Sequence, residues 1–308
     1  MPSPAPRIGL LGCGLWGSNI LRELRGLGAQ VLVVDVDESA RTRALNEGAV
    51  VAVGKPSDLA AVDGWIVATP ATLHRPSIAE IAASARPILC EKPLAASLAD
   101  AHAIAGSVRG PVHVVDVWRY HPAVHLLREL ANGGSLGAVR GLRSTRANWT
   151  SPRTDVDSAW NLLPHDISIY REVFGVLPEP GAALAELEDG QVRSLWTQWR
   201  SNPWMVSEAS NRFASRRREL QLHCARGVAF WSEAQAGQVV VHSGAANDRL
   251  EAVDRLAHPL SSTSALRGQL SHWLGFLAGG DAPRTDLAHA IEAIGLVERV
   301  RALAGLPA

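Results

Sequence analysis

Apolar residues arrive along this chain in two rhythms, and the change between them divides it. From residue 7 to about 115, short unbroken runs rich in Val and Ile, at 8–11 (IGLL), 31–35 (VLVVD), 65–69 (WIVAT), 87–91 (PILCE) and 112–116 (VHVVD), alternate with stretches of helical period. Ile20, Leu21, Leu24 and Leu27 recur at the spacings of one helix face, and further helices are predicted around Ala40, Ala44 and Leu45, over 77–84 and over 97–108. Strands without polar alternation are buried on both faces, and strands separated by helices pair in parallel. This half is therefore predicted to be a doubly wound α/β sheet.

The texture changes after Trp118. A helix is predicted over 122–132, followed by alternating segments at 139–149, 193–201 and 219–224, the pattern of an antiparallel sheet with one covered face. Two helices close the chain, over 265–278 and 287–304, the second with Ile291, Ile294, Val297 and Val300 on one stripe. The predicted fold class is α/β: a doubly wound parallel sheet in a domain over 1–119, then an α+β domain over 120–308 built on an open, mainly antiparallel sheet.

Composition narrows the function classes. The 308 residues suit about two domains. With 47% hydrophobic residues and 30 basic against 30 acidic side chains, the chain has no net field with which to attract nucleic acid. No apolar run reaches the roughly 18 residues of a membrane span, and the opening residues lack a basic segment followed by a long apolar one, so the cytoplasm is the expected compartment. Cys13, Cys90 and Cys224 form no CxxC pair and are expected to be reduced thiols. His121 and His125 share a helix face but have no acids or cysteines nearby, so no metal site is expected. Seven of the ten tryptophans follow Arg140, and packing against a sheet is the expected use of most of them.

Chemistry concentrates at three places. Gly12-Cys13-Gly14-Leu15-Trp16-Gly17 matches GxGxxG, follows a predicted strand and opens a predicted helix, the context of a dinucleotide-binding Rossmann loop. Gly12 permits the tight turn, Gly14 lets backbone approach a pyrophosphate, Gly17 allows close helix packing, and the helix start offers N–H groups to the phosphates. Asp35 ends the second strand 18 residues after Gly17, where a carboxylate accepts from the adenosine ribose hydroxyls. That favours NAD, although Arg41 and Arg43 lie close by.

The second place is Glu91-Lys92-Pro93, at the carboxyl end of a predicted strand, where ligands bind in open α/β sheets. Only Lys55 and Lys92 are lysines among the 30 basic residues, and lysine, unlike arginine, loses its proton when buried. The proline keeps Lys92 out of the helical region and favours a cis bond. The third is Trp160-Asn161-Leu162-Leu163-Pro164-His165-Asp166, expected to precede a short helix carrying Ile167, Tyr170 and Phe174. His165 would then sit in its first turn, where the positive end of the dipole keeps an imidazole neutral and able to take a proton. Arg153, in the loop leading to it, is an anion-ligand candidate, whereas Arg216-Arg217-Arg218 reads as a solvated strand or turn.

Taken together, GCGLWGSN, VVDVD, VATPATLH, EKPL, WRYHPA and WNLLPHDISI resemble the Gfo/Idh/MocA family of NAD(P)-dependent sugar and inositol dehydrogenases over nearly the whole chain. The resemblance implies a Rossmann domain followed by an open sheet whose exposed face forms a subunit interface, in dimers or tetramers. It implies NAD held by Gly12, Gly14, Leu15, Trp16, Gly17 and Asp35, with Thr69, Pro70 and His74 on the nicotinamide side and Glu91 and Lys92 in contact. Lys92 and His165 would be catalytic, and Asn161, Arg153, Trp160 and Asn148 would meet the substrate.

Many sugar and inositol members have an aspartate where this chain has Asn161, and an amide cannot take a proton. Asparagine here resembles the branch of nucleotide-sugar 3-dehydrogenases. That branch implies oxidation of the 3-hydroxyl of UDP-N-acetylglucosamine or its uronic acid, for amino-sugar and lipopolysaccharide-type biosynthesis. An inositol or free monosaccharide dehydrogenase is the alternative enzyme, and a non-catalytic NAD(P)-sensing regulator is the alternative of another class.

Overall fold

The computed structural model describes residues 5–149, 155–244 and 253–307. Its first sheet has strands β1 (Arg7–Leu11), β2 (Gln30–Val34), β3 (Val51–Val53), β4 (Gly64–Val67), β5 (Ile88–Cys90) and β6 (Val112–Val114). They lie in the order β3-β2-β1-β4-β5-β6, all parallel. Helices α1 (Leu15–Gly26), α2 (Glu38–Asn46), α3 (His74–Ile81) and α4 (Leu98–Ser107) supply crossovers. Every residue of β4 and β5 is buried, as unbroken apolar runs require of a sheet covered on both sides. Strand order reverses between β1 and β4, so the loops after these neighbours open side by side at the carboxyl edge, the ligand-binding position of such sheets.

The second sheet carries β7 (Val139–Ala147), β8 (Pro180–Glu188), β9 (Gln191–Trp199), β10 (Trp204–Ser210), β11 (Arg217–Cys224), β12 (Gly227–Ser232), β13 (Gln238–Ser243) and β14 (Asp254–Pro259). Its order is β14-β13-β12-β11-β7-β10-β9-β8, antiparallel throughout except for β7 with β10. Helices α5 (Pro122–Gly133) and α6 (Ser158–Phe174) cover one face. Fold class thus follows the sequence reading. No helix among the described residues is long and apolar enough to cross a membrane.

Two compact units emerge, and the first is not one continuous stretch. Residues up to Val117 cluster with Ser264–Ile294, and Trp118–Thr263 with Gly295 onward. The sequence reading gave everything after residue 119 to one domain. Helix α7 (Ala265–Leu277) departs from that because its apolar side belongs to the first core: Leu270 and Trp273 are fully buried among Ile8, Leu10, Ile66 and Leu89. Gln269 of α7 secures it, accepting from the Asp116 backbone N–H at 3.0 Å and donating to the Val114 carbonyl at 3.1 Å. The final helix, α8 (Leu287–Leu303), begins in the first unit and ends in the second.

Helix α6 corrects a second expectation. It starts at Ser158, seven residues before His165, because the Asp157 side chain accepts from the Trp160 backbone N–H and caps it there. Pro164 sits inside this helix and forfeits one backbone bond, but buried side chains on both sides of it, Trp160, Leu162 and Leu163 before and Ile167, Ile169 and Tyr170 after, hold the helix through. His165 is therefore mid-helix. The field of the helix start fades within a turn, so the dipole argument for its neutral ring does not hold.

In α5 the N-cap is itself a histidine, since Nδ1 of His121 accepts from the Ala123 backbone N–H at 3.2 Å. Burial, then the Arg146 cation, lower its pKa to about 4. A histidine whose folded pKa is depressed takes up a proton on unfolding below its ordinary pKa of about 6.5, so stability should fall as pH drops from about 6.5 to 4, by about 3 kcal/mol from this residue. Denaturant titrations across that range should show the loss, and His121→Asn, which keeps a cap, should flatten it. Trp273→Ala should cost about 3–5 kcal/mol in the same assay if α7 belongs to the first core, against under about 1 kcal/mol for a peripheral helix.

Candidate active site

In the first unit the glycine loop is shaped by close approach. Gly12 has φ of +87°, and a Cβ there would meet the Ala68 carbonyl group and the Thr69 nitrogen at 2.9 Å, so the β1 and β4 loops touch backbone to backbone. A Cβ on Gly17 would collide with the Gly12 carbonyl oxygen. Gly14 differs: a Cβ there would meet no protein atom within 4 Å, so its bareness leaves room beside the loop. Gly14 caps α1 without any side-chain hydrogen bond, and the first turn holds no acid. A helix start with no acid in its own first turn, next to open space, suits the phosphates of a dinucleotide.

Asp35 follows β2 beside this loop. Its Oδ2 accepts from the Cys13 backbone N–H at 2.7 Å and its Oδ1 from that of Asp37 at 2.9 Å, which fixes the carboxylate at the loop. The rival cation is occupied, since Arg41 donates to the Asp35 and Val36 carbonyls at 2.8 and 3.0 Å, and Arg43 to the Ser39 hydroxyl. An acid at this position suits the two hydroxyls of an unphosphorylated ribose. Buried Cys13 has its thiol pKa raised by desolvation, so it stays a packed thiol.

The strand-end segment after β5 is tied to both loops. Buried Glu91 accepts from the Trp16 indole N–H through Oε1 and from the Lys92 backbone N–H through Oε2 at 3.2 Å, and the Lys92–Pro93 bond is cis. His74 is fully buried; its Nε2 lies 2.9 Å from the Thr69 carbonyl and its Nδ1 2.9 Å from that of Pro93, so it bridges the β4 loop to the segment that follows Lys92. Thr69 and Pro70 follow β4, and the Thr69 hydroxyl lies 3.2 Å from that of Ser77. Leu15 and Trp16 project outward at 88% and 43% exposure. The brace of Trp16 on Glu91 was missed in the sequence reading; an indole inside the glycine motif was its only signal.

In the second unit, Asn161 and His165 are four apart on α6 and therefore share one face, both half-buried, as are Ser168, Arg171 and Phe174, on a helix whose other residues are buried. Below them, Asp166 has no access to water and accepts from Ser144 at 2.5 Å and from Arg146 Nε at 2.7 Å, both on β7. Burial raises its carboxyl pKa, against the pull of Arg146. The Arg146 guanidinium lies 4.0 Å from the Trp118 ring centre, and Trp118 also meets the His165 ring edge-on at 6.4 Å. Trp118 is thus the floor between them.

The remaining candidates scatter. Trp160 is buried in the core under Arg301, whose guanidinium lies 5.7 Å from its ring centre and bonds Asp157 at 2.6 Å. Asn148, half-buried at the end of β7, spends its backbone on Ser210 and Phe213. Arg153 lies outside the described residues. The arginine run is only partly the solvated strand expected: Arg216 and Arg217 are exposed, but Arg218 turns inward on β11. No cluster of potential metal ligands occurs among the described residues.

Residues 6–115 match the model of the family described as "Oxidoreductase family, NAD-binding Rossmann fold", GFO_IDH_MocA. Among curated proteins, inositol 2-dehydrogenase 1 of Saccharopolyspora erythraea is 34% identical over 144 residues, 42% of either chain. The chain spans about half the length of the curated relatives it matches, 42% and 53% of the first two. Among solved structures, UDP-N-acetylglucosamine 3-dehydrogenase GnnA from Acidithiobacillus ferrooxidans superposes with a TM-score of 0.82 at 20% identity, covering 97% of both chains. Levoglucosan dehydrogenase, in complex with NADH and levoglucosan, reaches 0.83 at 16% identity, covering 98% of this chain and 97% of its own. At those identities the likeness is one of fold. The glycine loop and the sequence match agree, and over residues 6–115 the chain carries an NAD-binding Rossmann domain of the Gfo/Idh/MocA oxidoreductase family.

Proposed function

We propose that this protein oxidises the 3-hydroxyl of a UDP-sugar, UDP-N-acetylglucosamine or its uronic acid, with NAD as the acceptor. The observation that carries the reading is the pairing of Asn161 with His165 on one face of α6, an amide where an acid is usual in sugar and inositol members, in a chain that keeps Lys92 at the end of β5. The N–H groups at the start of α1 would hold the cofactor phosphates, Asp35 the ribose, and Thr69 and Pro70 the nicotinamide side. Bound there, NAD would supply the two-electron acceptor.

The protein residues divide the remaining work. His165 takes the proton of the reacting hydroxyl as general base. Lys92 donates to the same oxygen and stabilises its developing charge. Asn161 cannot take a proton and orients the sugar or Lys92 by donating and accepting hydrogen bonds. Sequence similarity to inositol 2-dehydrogenases supports the second reading, in which the alcohol belongs to an inositol or free sugar.

The protein is proposed to act as a homo-oligomer. Side chains of the open sheet face alternate with the buried ones, and Leu184, Trp196, Trp204 and Val206 bring exposed apolar surface to it. Light scattering after gel filtration should give a dimer or tetramer, and Trp196→Glu with Val206→Glu should shift it to monomer; a monomeric wild type rejects the interface.

Absorbance at 340 nm with a panel of UDP-sugars, inositols and hexoses tests the activity. NADH should form with UDP-sugars; formation with inositol alone would establish the second reading, and formation with none would reject both. His165→Ala should lower turnover by ~10²- to 10⁴-fold while NADH affinity stays unchanged. Lys92→Arg, which keeps charge in a fork that cannot lose its proton, should also be impaired, and full activity in either variant would remove that residue from the mechanism.

A further inference from the structure

Near Trp118 in the second unit, two arginines face each other. Arg146 on β7 and Arg218 on β11 are directly opposed across an antiparallel pair, so their side chains leave the same face of the sheet. Like charges in that position repel unless something between them is negative. Arg146 is spoken for by Asp166. Glu233, the acid within ion-pair reach of Arg218, is occupied too: Arg216 grips both of its oxygens at 2.7 Å, from Nε and from Nη2.

Arg218 is left with that carboxylate 4.0 Å from its Nε, too far for a hydrogen bond. The Nε is buried and makes no other bond, while 26% of the side chain stays exposed. Burial, then Arg146 and Arg216, push its pKa down to about 10 against the weaker pull of Glu233. The ring under its cross-strand neighbour Arg146 is Trp118, which carries no negative charge and meets Trp231 at 5.6 Å; Trp231, paired with Leu220 two residues along β11 from Arg218, also meets His121 at 4.8 Å. Trp118 in turn meets His165.

We infer that Arg218, beside Arg146, is an anion-recognition residue that binds a carboxylate or phosphate group of the substrate, so that this protein acts on anionic sugars. As a specificity statement for the site holding His165, it rests on the function proposed above. A guanidinium fork with a spare buried donor matches an oxyanion in shape and charge, and a neutral sugar leaves that donor unsatisfied. Carboxylate and phosphate share this chemistry and differ in where the charge sits on the sugar, beside the ring or at the end of a nucleotide.

Isothermal titration of the full chain with UDP, glucuronate and glucose, at constant ionic strength, separates these sources. Wild type should bind UDP or glucuronate more tightly than glucose. Arg218→Gln should weaken that anion by roughly tenfold to a hundredfold. Arg140→Gln, which removes an exposed arginine of β7, should leave it unchanged. UDP binding alone assigns a phosphate, and glucuronate binding alone a carboxylate. Arg218→Lys, which keeps the charge without the fork, should lose part of the affinity and serves if Arg218→Gln does not fold. Anion binding as strong in Arg218→Gln as in wild type, or no tighter for either anion than for glucose, overturns the inference. Anion binding lost with Arg218, together with no NADH from any alcohol, would leave this site standing and reject the dehydrogenase reading; NADH formation with binding indifferent to Arg218 would do the reverse.

Discussion

A carboxylate sealed from water cannot stay charged without partners, and Asp166 has two, Ser144 and Arg146, both on the strand beneath its helix. That pair joins α6 to β7. As a source of stability such a buried pair is nearly neutral, because desolvation offsets attraction, but removing one partner typically costs about 3–5 kcal/mol. Its larger effect is orientation. With Asp166 pinned to the sheet, the neighbouring position on the helix, His165, is turned about 100° away, and Asn161 shares its face. Whatever chemistry the second unit performs starts from the direction in which this one salt bridge aims α6.

The same constraint generates the charge imbalance next to it. Arg146 is needed for Asp166, so it cannot balance anything else, and the register of β7 with β11 puts Arg218 directly across from it. Glu233 is satisfied by Arg216. The facing of Arg218 with a second cation is thus a consequence of packing, one strand from the Trp118 ring on which Arg146 lies, and part of Arg218 still reaches solvent.

In the first unit the organising constraint is steric. Gly12 and Gly17 allow the β1 loop, the β4 loop and α1 to meet at backbone contact, leaving a bare helix start beside open space at Gly14. Around that cradle the sequence supplies braces. Asp35 holds the loop through Cys13, Trp16 reaches to Glu91, and His74 spans the carbonyls of Thr69 and Pro93. Residues that look like cofactor ligands in a motif are, in the folded unit, also the struts that set the position of Lys92.

Much of this was legible in the chain itself, wherever the signal was local. Unbroken apolar runs marked five of the six parallel strands, and only β3, three partly exposed residues, gave no such run. GxGxxG with Asp35 announced the nucleotide edge because glycine and acid have fixed jobs at fixed spacing. Three features were decided by tertiary structure alone. Helix α7 joined the first core through contacts more than 150 residues away in sequence, as Gln269 with Val114 shows. Pro164 reads locally as a helix boundary, yet burial on both sides and a cap at Asp157 carried the helix through it and moved His165 to its middle. Arg218 looked like one of three solvated arginines, and only the pairing of β11 with β7 shows which of the three turns inward to meet a second cation. Periodicity and motif spacing report what neighbouring residues require; who stands across a sheet is set by the fold as a whole.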